Sequence, residues 1–201
     1  MKIGLLNIGS GNIFSILSAL KKLDLHIVNV SNSDDIDNID VLIMPGVGAF
    51  NTYINELRSK KLFLKIKEFI NDDQKKLIGI CVGMQALFSL GHENKIEKGL
   101  NIFEGDVVKN NIGLNIGLRE IFPNKKNKTS KFKTFFDKKK FYFTHGFNVK
   151  SKFFFEESYY VSLDNEEYLS FFKHRNVYGF QFHPELSSHN GLEALEYILN
   201  G

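Results

Sequence analysis

The feature that most constrains the fold is an alternation. Over the first ninety residues, short apolar runs take turns with segments of helical period. Residues 2–7, 25–30, 41–44 and 77–80 read as strands. Val41-Leu42-Ile43-Met44 is apolar throughout, the pattern of a strand buried on both faces. Between the runs, Ile13, Ile16, Leu17, Leu20 and Leu23 fall at helical spacing. A second helix is expected over about 51–70, with Leu57, Leu62, Phe63, Ile66, Phe69 and Ile70 inward, and a third begins over 84–90. Strands alternating with helices imply βαβ units. The expected fold class is therefore α/β: an open, mostly parallel twisted sheet flanked by helices.

The second half changes character. It is rich in Phe and Tyr, with strand-like runs near 100–108, 141–143, 159–163, 168–172 and 177–182, and a closing helix over about 191–199. These read as antiparallel strands added to the sheet. With 201 residues, no repeat and no linker, one domain spanning 1–201 is expected. Residues 124–140 carry eight lysines and one aspartate, a solvated loop or an anion-binding patch. No nucleic-acid motif accompanies them, and the net charge is only +3. No apolar run approaches the roughly 18 residues of a membrane helix, and the N-terminal run is too short for a signal peptide. A cytoplasmic protein with neither membrane nor nucleic-acid partner is expected. A single cysteine excludes an internal disulfide and a cysteine-rich metal site.

That cysteine lies in Gly79-Ile80-Cys81-Val82-Gly83, where an apolar strand gives way to a helix. A lone cysteine is ordinarily a small buried hydrophobe. The two glycines and the strand-to-helix position point instead to a nucleophile elbow with Cys in place of Ser. The following helix would aim its N-terminus at the sulfur, favouring thiolate, and the Val82 N–H would face a developing oxyanion. In His183-Pro184-Glu185, residues i and i+2 face the same way on an extended chain, and Pro184 disfavours α at His183. His183 can then serve as base with Glu185 holding its tautomer. The other histidines, His26, His92, His145, His174 and His189, lack a carboxylate two residues on. Pro45-Gly46-Val47-Gly48-Ala49-Phe50 follows the third strand, and glycines on both sides of Val47 let a peptide plane reorient toward a substrate carbonyl. Gly9-Ser10-Gly11-Asn12 is a turn, but Phe14 stands where a dinucleotide fingerprint needs its third glycine.

Taken in order, these motifs resemble class I glutamine amidotransferases. More narrowly they are similar to the glutaminase subunits of imidazole glycerol phosphate synthase, of histidine biosynthesis. Gly79-Ile80-Cys81-Val82-Gly83-Met84-Gln85, Gly99-Leu100 with Glu104-Gly105, Tyr142-Phe143-Thr144-His145 and Gln181-Phe182-His183-Pro184-Glu185 complete the match over nearly the full length. The resemblance implies a Cys81, His183, Glu185 triad, with Val47, Gly48 and Val82 around the oxyanion. It implies that Gln85 and Gly48 hold the substrate glutamine, and that backbone at His145, Gly146 and Phe147 receives its α-carboxylate. It implies Asn12 at the interface with a (β/α)8 cyclase subunit, into which ammonia passes within a heterodimer. Neither a cofactor nor a metal is expected.

The chain departs from the family pattern in places. Where the family commonly has Pro-His-Met/Ile-Gly-Trp-Asn, it reads Asn110-Asn111-Ile112-Gly113-Leu114-Asn115. His-Ser/Thr-Tyr becomes His145-Gly146-Phe147, and the Lys after His-Pro-Glu becomes Leu186. In the family several of these positions face the synthase. A paralogue feeding ammonia to a sugar amidotransferase in surface glycan synthesis thus stays open. A cysteine peptidase and a catalytically idle regulatory module are the rivals from other classes; Gln85 tells against the first and the intact triad against the second.

Overall fold

The N-terminal apolar runs become neighbouring strands of one sheet. The structure, a computed structural model, describes residues 1–9, 13–23, 25–124 and 131–200. In chain order come β1 (Ile3–Leu6), α1 (Ile13–Lys21), β2 (Ile27–Val30), β3 (Val41–Met44), α2 (Phe50–Ser59), α3 (Leu62–Phe69), β4 (Lys76–Ile80) and α4 (Val82–Gln85). There follow β5 (Phe88–Gly91), β6 (Glu97–Lys98), β7 (Phe103–Lys109), β8 (Asn115–Glu120), β9 (Phe122–Pro123), α5 (Lys133–Phe136), β10 (Lys140–His145) and β11 (Phe147–Lys150). The chain closes with β12 (Glu157–Leu163), β13 (Glu166–His174), β14 (Val177–Phe180) and α6 (Ser188–Asn200).

Among the described residues the main sheet has eight strands in the order β2-β1-β3-β4-β14-β13-β12-β9. The first five run parallel, and the last three are added antiparallel. Two smaller sheets accompany it, β11-β7-β5-β6 and the pair β10-β8. The fold is thus α/β with a large mixed sheet flanked by helices. Side chains alternate across it because successive Cβ atoms point to opposite faces. Ile3, Leu5, Val41, Ile43, Ile78 and Ile80 pack with α1 and α6 residues Ile16, Leu20, Leu195 and Ile198. Leu6, Leu42, Met44 and Leu77 pack with α2 and α3 residues Tyr53, Ile54, Leu57, Leu62 and Ile66. Burial on both faces explains why these strands are apolar throughout. The Phe-rich second half supplies core: Phe103, Phe155 and Phe172 cluster on one face, and Phe136, Phe141, Phe171 and Phe182 on the other.

Three sequence expectations need correction. The helix expected over 51–70 is two, α2 and α3, broken where Lys61 takes a left-handed φ of 57°. The helix expected from 84 onward is a single turn; the chain is extended again from Phe88, and β5 pairs with β7. Tertiary pairing decides this: the N–H groups of Ile102 and Phe103 both bond the Leu87 carbonyl, drawing the backbone out of the helix. The strand expected over 100–108 begins only at Phe103, and β8 and β11 were not anticipated. No helix among the described residues is long and apolar enough to cross a membrane.

Candidate active site

The motifs converge at the carboxyl ends of β3, β4 and β14, which are adjacent in the sheet. In open α/β sheets ligands bind at that edge. Cys81 follows β4 with φ 55° and ψ −115°, a conformation that costs a non-glycine residue on the order of 1–3 kcal/mol. Backbone bonds hold it there: its N–H donates to the Phe180 carbonyl (2.7 Å), and its carbonyl accepts from Gln85 N–H (3.0 Å). The flanking glycines are steric necessities. A Cβ at Gly79 would sit 2.7 Å from Met84 Cα, and one at Gly83 would sit 1.9 Å from the Met44 carbonyl oxygen. The helix behind Cys81 has only four residues. The dipole expected of a full helix is therefore reduced to the N–H groups of one turn.

His183 leaves β14 with φ −95° and ψ 99°, extended as the following Pro184 requires. Its N–H donates to the Tyr142 carbonyl (2.9 Å). Ser187 ties down the same stretch, with Oγ donating to the His183 carbonyl (2.6 Å) and accepting from Tyr142 N–H (2.9 Å). Phe182 stacks on Phe141 at 4.4 Å, anchoring the residue before His183. Glu185 is in a 3-10 turn, Pro184–Leu186, and not in the extended segment that the i, i+2 argument assumed. The turn still brings Glu185 Oε1 to 2.8 Å from His183 Nδ1, with both side chains buried.

Burial alone would drive a proton off His183. The Cys81 side chain and the Glu185 carboxylate outweigh it and push the pKa up to about 10. His183 Nε2 has no partner in hydrogen-bond geometry among the described residues. The sulfur therefore acts on the ring at close range without a fully formed hydrogen bond.

Beside Cys81 lies a cavity of about 240 Å³, lined by Val47, Gly48, Cys81, Val82, Gln85, Glu93, Thr144, His145, Gly146 and Phe147. Every residue expected at the oxyanion or the substrate is on its wall. Glu93 was not foreseen. Its Oε2 accepts from Phe50 N–H at the start of α2 (2.8 Å), which aims a carboxylate at the cavity. Nothing local in the sequence marks it, since β5 and a loop separate it from Cys81. The two glycines of the Val47 loop differ in role. Gly46 is locked, because a Cβ would meet Val82 Cγ1 at 2.3 Å, whereas Gly48 has φ +105° and open space around it. Gln85 spends its amide hydrogens within the wall, on the Phe147 carbonyl (2.9 Å) and Gln181 Oε1 (3.1 Å). Its own Oε1 is thus left for the cavity. Gln181 Nε2 lies 3.9 Å from Cys81 Sγ, another contact absent from the sequence reading.

Three larger cavities, about 830, 470 and 440 Å³, lie elsewhere, lined in part by Asp106, Lys150 and Glu166, by Phe153, His174 and Asn176, and by Phe135 and Tyr197. None of the three is lined by Cys81 or His183. Asn12, with Ser10 and Gly11, lies outside the described residues, as do residues 125–130 of the lysine-rich stretch.

The family model described as glutamine amidotransferase class-I matches residues 5–197. The chain belongs to that family. Among full-length relatives of this amidotransferase, imidazole glycerol phosphate synthase subunit HisH 2 of Vibrio vulnificus is 34% identical over 100% of this chain and 94% of its own. Subunit HisH of Thermotoga maritima is 31% identical, over 99% and 96%. Subunit HisH 1 of Campylobacter jejuni is 30% identical, over 98% of each chain. Among solved structures, PurLQS from Thermotoga maritima superposes with a TM-score of 0.76 at 18% identity, covering 99% of this chain and 97% of that one. A structure described as a glutamine amidotransferase gives 0.70 at 18%, covering 98% and 97%. At such identities the structures speak for the shared fold alone.

Proposed function

We propose that this amidotransferase hydrolyses glutamine at Cys81, with His183 and Glu185 completing the triad, and delivers the ammonia to a synthase subunit. The observation that carries the reading is His183, bonded to Glu185 and raised in pKa by the Cys81 side chain, next to a cavity of about 240 Å³ that Cys81 itself lines. The substrate side chain enters with its amide over Sγ. Its α-ammonium meets Glu93, and its α-carboxylate the backbone of 145–147. The thiolate attacks the amide carbon, and the oxyanion forms beside Val47, Gly48 and Val82. Protonated His183 gives its proton to the departing nitrogen, which leaves as ammonia.

The pKa of His183 is coupled to that chemistry. Once the γ-glutamyl thioester forms, the sulfur carries no charge and one of the groups raising the pKa is gone. Burial then favours the neutral imidazole, the form that takes a proton from water and directs hydroxide to the thioester. The products are glutamate and the regenerated thiolate–imidazolium pair. Cys81→Ala is expected to abolish glutamine-dependent turnover and to spare synthesis driven by added ammonia. Loss of both activities in an assembled complex would refute the division of labour.

The relatives' names make a cyclase the natural partner. The proposal is a cytoplasmic heterodimer of this single domain with a (β/α)8 barrel, acting as a lyase that makes imidazole glycerol phosphate and AICAR in histidine biosynthesis. Free ammonia in neutral water is mostly ammonium, so a sealed path serves the chemistry. Val47 on the cavity wall is 40% exposed and Leu186, next to Glu185, is 45% exposed, apolar surface that a docked synthase would cover. The second reading, ammonia supply to a sugar amidotransferase, draws on the altered segment 110–115 and on Leu186, both on this side of the molecule. Complementation separates them. Growth without histidine, restored when the chain is expressed with its cognate barrel in a host lacking its own subunit, supports the first. Failure there, with glutamine-dependent sugar amidation, supports the second.

A further inference from the structure

A chain of hydrogen bonds runs from the protein surface to the nucleophile through the cavity wall. On strand β8, Arg119 Nε donates to Asn115 Oδ1 at 3.2 Å. Asn115 Nδ2 meets His145 Nε2 at 3.3 Å, and His145 Nδ1 meets the Phe147 carbonyl at 2.9 Å. Gln85 Nε2 bonds the same carbonyl and continues to Gln181, whose Nε2 faces Cys81 Sγ. Asn115 and His145 are direct partners across the β8–β10 pair, and both are buried.

Donor and acceptor roles along this chain are fixed by chemistry. A carbonyl oxygen only accepts, so His145 Nδ1 carries the proton. Burial depresses the His145 pKa to about 4, so the ring is neutral near pH 7 and Nε2 is a bare acceptor. Only a donor can face it, and the Asn115 amide is that donor, oriented in turn by Arg119. The backbone at stake borders the cavity: Gly146 and Phe147 line it, and the Gly146 carbonyl accepts from Asn110 N–H at 3.1 Å. Segment 110–115, where the chain leaves the family pattern, thus stands directly behind the substrate wall.

We propose that Asn115 is a positioning residue of the glutaminase site: it fixes the tautomer and orientation of His145, which sets the 145–147 backbone against the bound glutamine. This rests on the reading of the cavity as the glutamine site. Glutamate release at varied glutamine and pH, by the full chain with its synthase, tests it with two variants. Asn115→Leu removes the donor, and KM for glutamine is expected to rise about tenfold with kcat within about threefold, the mark of lost substrate binding.

Asn115→Asp keeps the shape but turns the donor into an acceptor, which demands a proton on Nε2. The kcat/KM profile should then gain an inflection between about pH 5 and 8 that the parent lacks. His183, Cys81, Glu93 and Arg119, the titratable and charged groups around His145, are common to both proteins and cancel in the comparison. Should Asn115→Leu fail to fold, the near-isosteric Asp variant alone decides. Parental KM and pH profile in a folded variant, with glutamate release intact, overturn the assignment alone. No release by the parent chain overturns the glutaminase reading with it.

Discussion

At Cys81 the strained backbone and the raised pKa of His183 belong to one device, since the elbow holds the sulfur against the ring. That coupling has a measurable consequence in stability. The folded pKa of His183, about 10, lies above the ordinary 6.5. A group raised in this way stabilises the fold fully below the unfolded value, and the contribution is lost as pH rises through the folded one. The unfolding midpoint is therefore expected to fall between about pH 6.5 and 10. In Cys81→Ala, which removes the sulfur's share, the fall should be shallower. Thermal unfolding at stepped pH measures both, and identical slopes would contradict the pairing. The same residue scale explains why a motif reading succeeds here. Gly79 and Gly83 face backbone atoms that cannot retreat, so the elbow leaves no freedom in their identity.

Among the elements, the loop between β3 and α2 carries the most consequence. Gly46 is wedged against Val82 and Tyr53, so that end is rigid; Gly48 has φ +105° in open space, so that end can turn. A peptide pivoting at Gly48 can move the Val47–Gly48 N–H toward or away from the oxyanion. Gly48→Ala is expected to leave the chain folded at a cost of roughly 1–3 kcal/mol, because the added methyl meets no atom within 4 Å but an alanine is strained at φ +105°. Glutaminase kcat should nevertheless drop about a hundredfold, the worth of one oxyanion donor. Full activity in that variant would remove the loop from the mechanism. Gly46→Ala is strained by a clash instead, since its methyl would lie 2.3 Å from Val82 Cγ1, and it too is expected to destabilise the fold by roughly 1–3 kcal/mol.

For the molecule as a whole, the question is why a glutaminase with an open mouth would not waste glutamine. In the proposed mechanism a pivot at Gly48 would give the loop an idle and an active orientation, and a synthase on the rim would select between them. Each factor of ten in rate needs only about 1.4 kcal/mol of differential binding. The isolated chain is expected to be a poor glutaminase, stimulated at least tenfold by its synthase with acceptor bound. Steady-state glutamate release with and without the synthase is the measurement, and full activity in the lone chain would defeat the idea. The exposed Val47 and Leu186 place apolar surface where such a partner would sit.

Strand and helix order over the first eighty residues, the elbow at Cys81 and the His183-Pro184-Glu185 unit were legible in the sequence. They depend on short-range rules: apolar period, glycine where a Cβ cannot fit, proline before a turn. Elements set by distant pairing were not legible. The run after Gln85 looks helical, yet becomes β5 because β7 offers it a hydrogen-bonding edge. Likewise the places of Glu93, Gln181, Ser187 and Asn115 are not readable locally, although Gln181 and Asn115 lie in motif segments. Each gains its place through partners far along the chain, Phe50, Cys81, Tyr142 and His145 respectively. The sequence by itself determined the elbow at Cys81 and the closeness of His183 to Glu185, because residue type and local backbone rules act at short range. Only the tertiary structure decided what surrounds them, because hydrogen-bond partners and burial arise when remote strands meet.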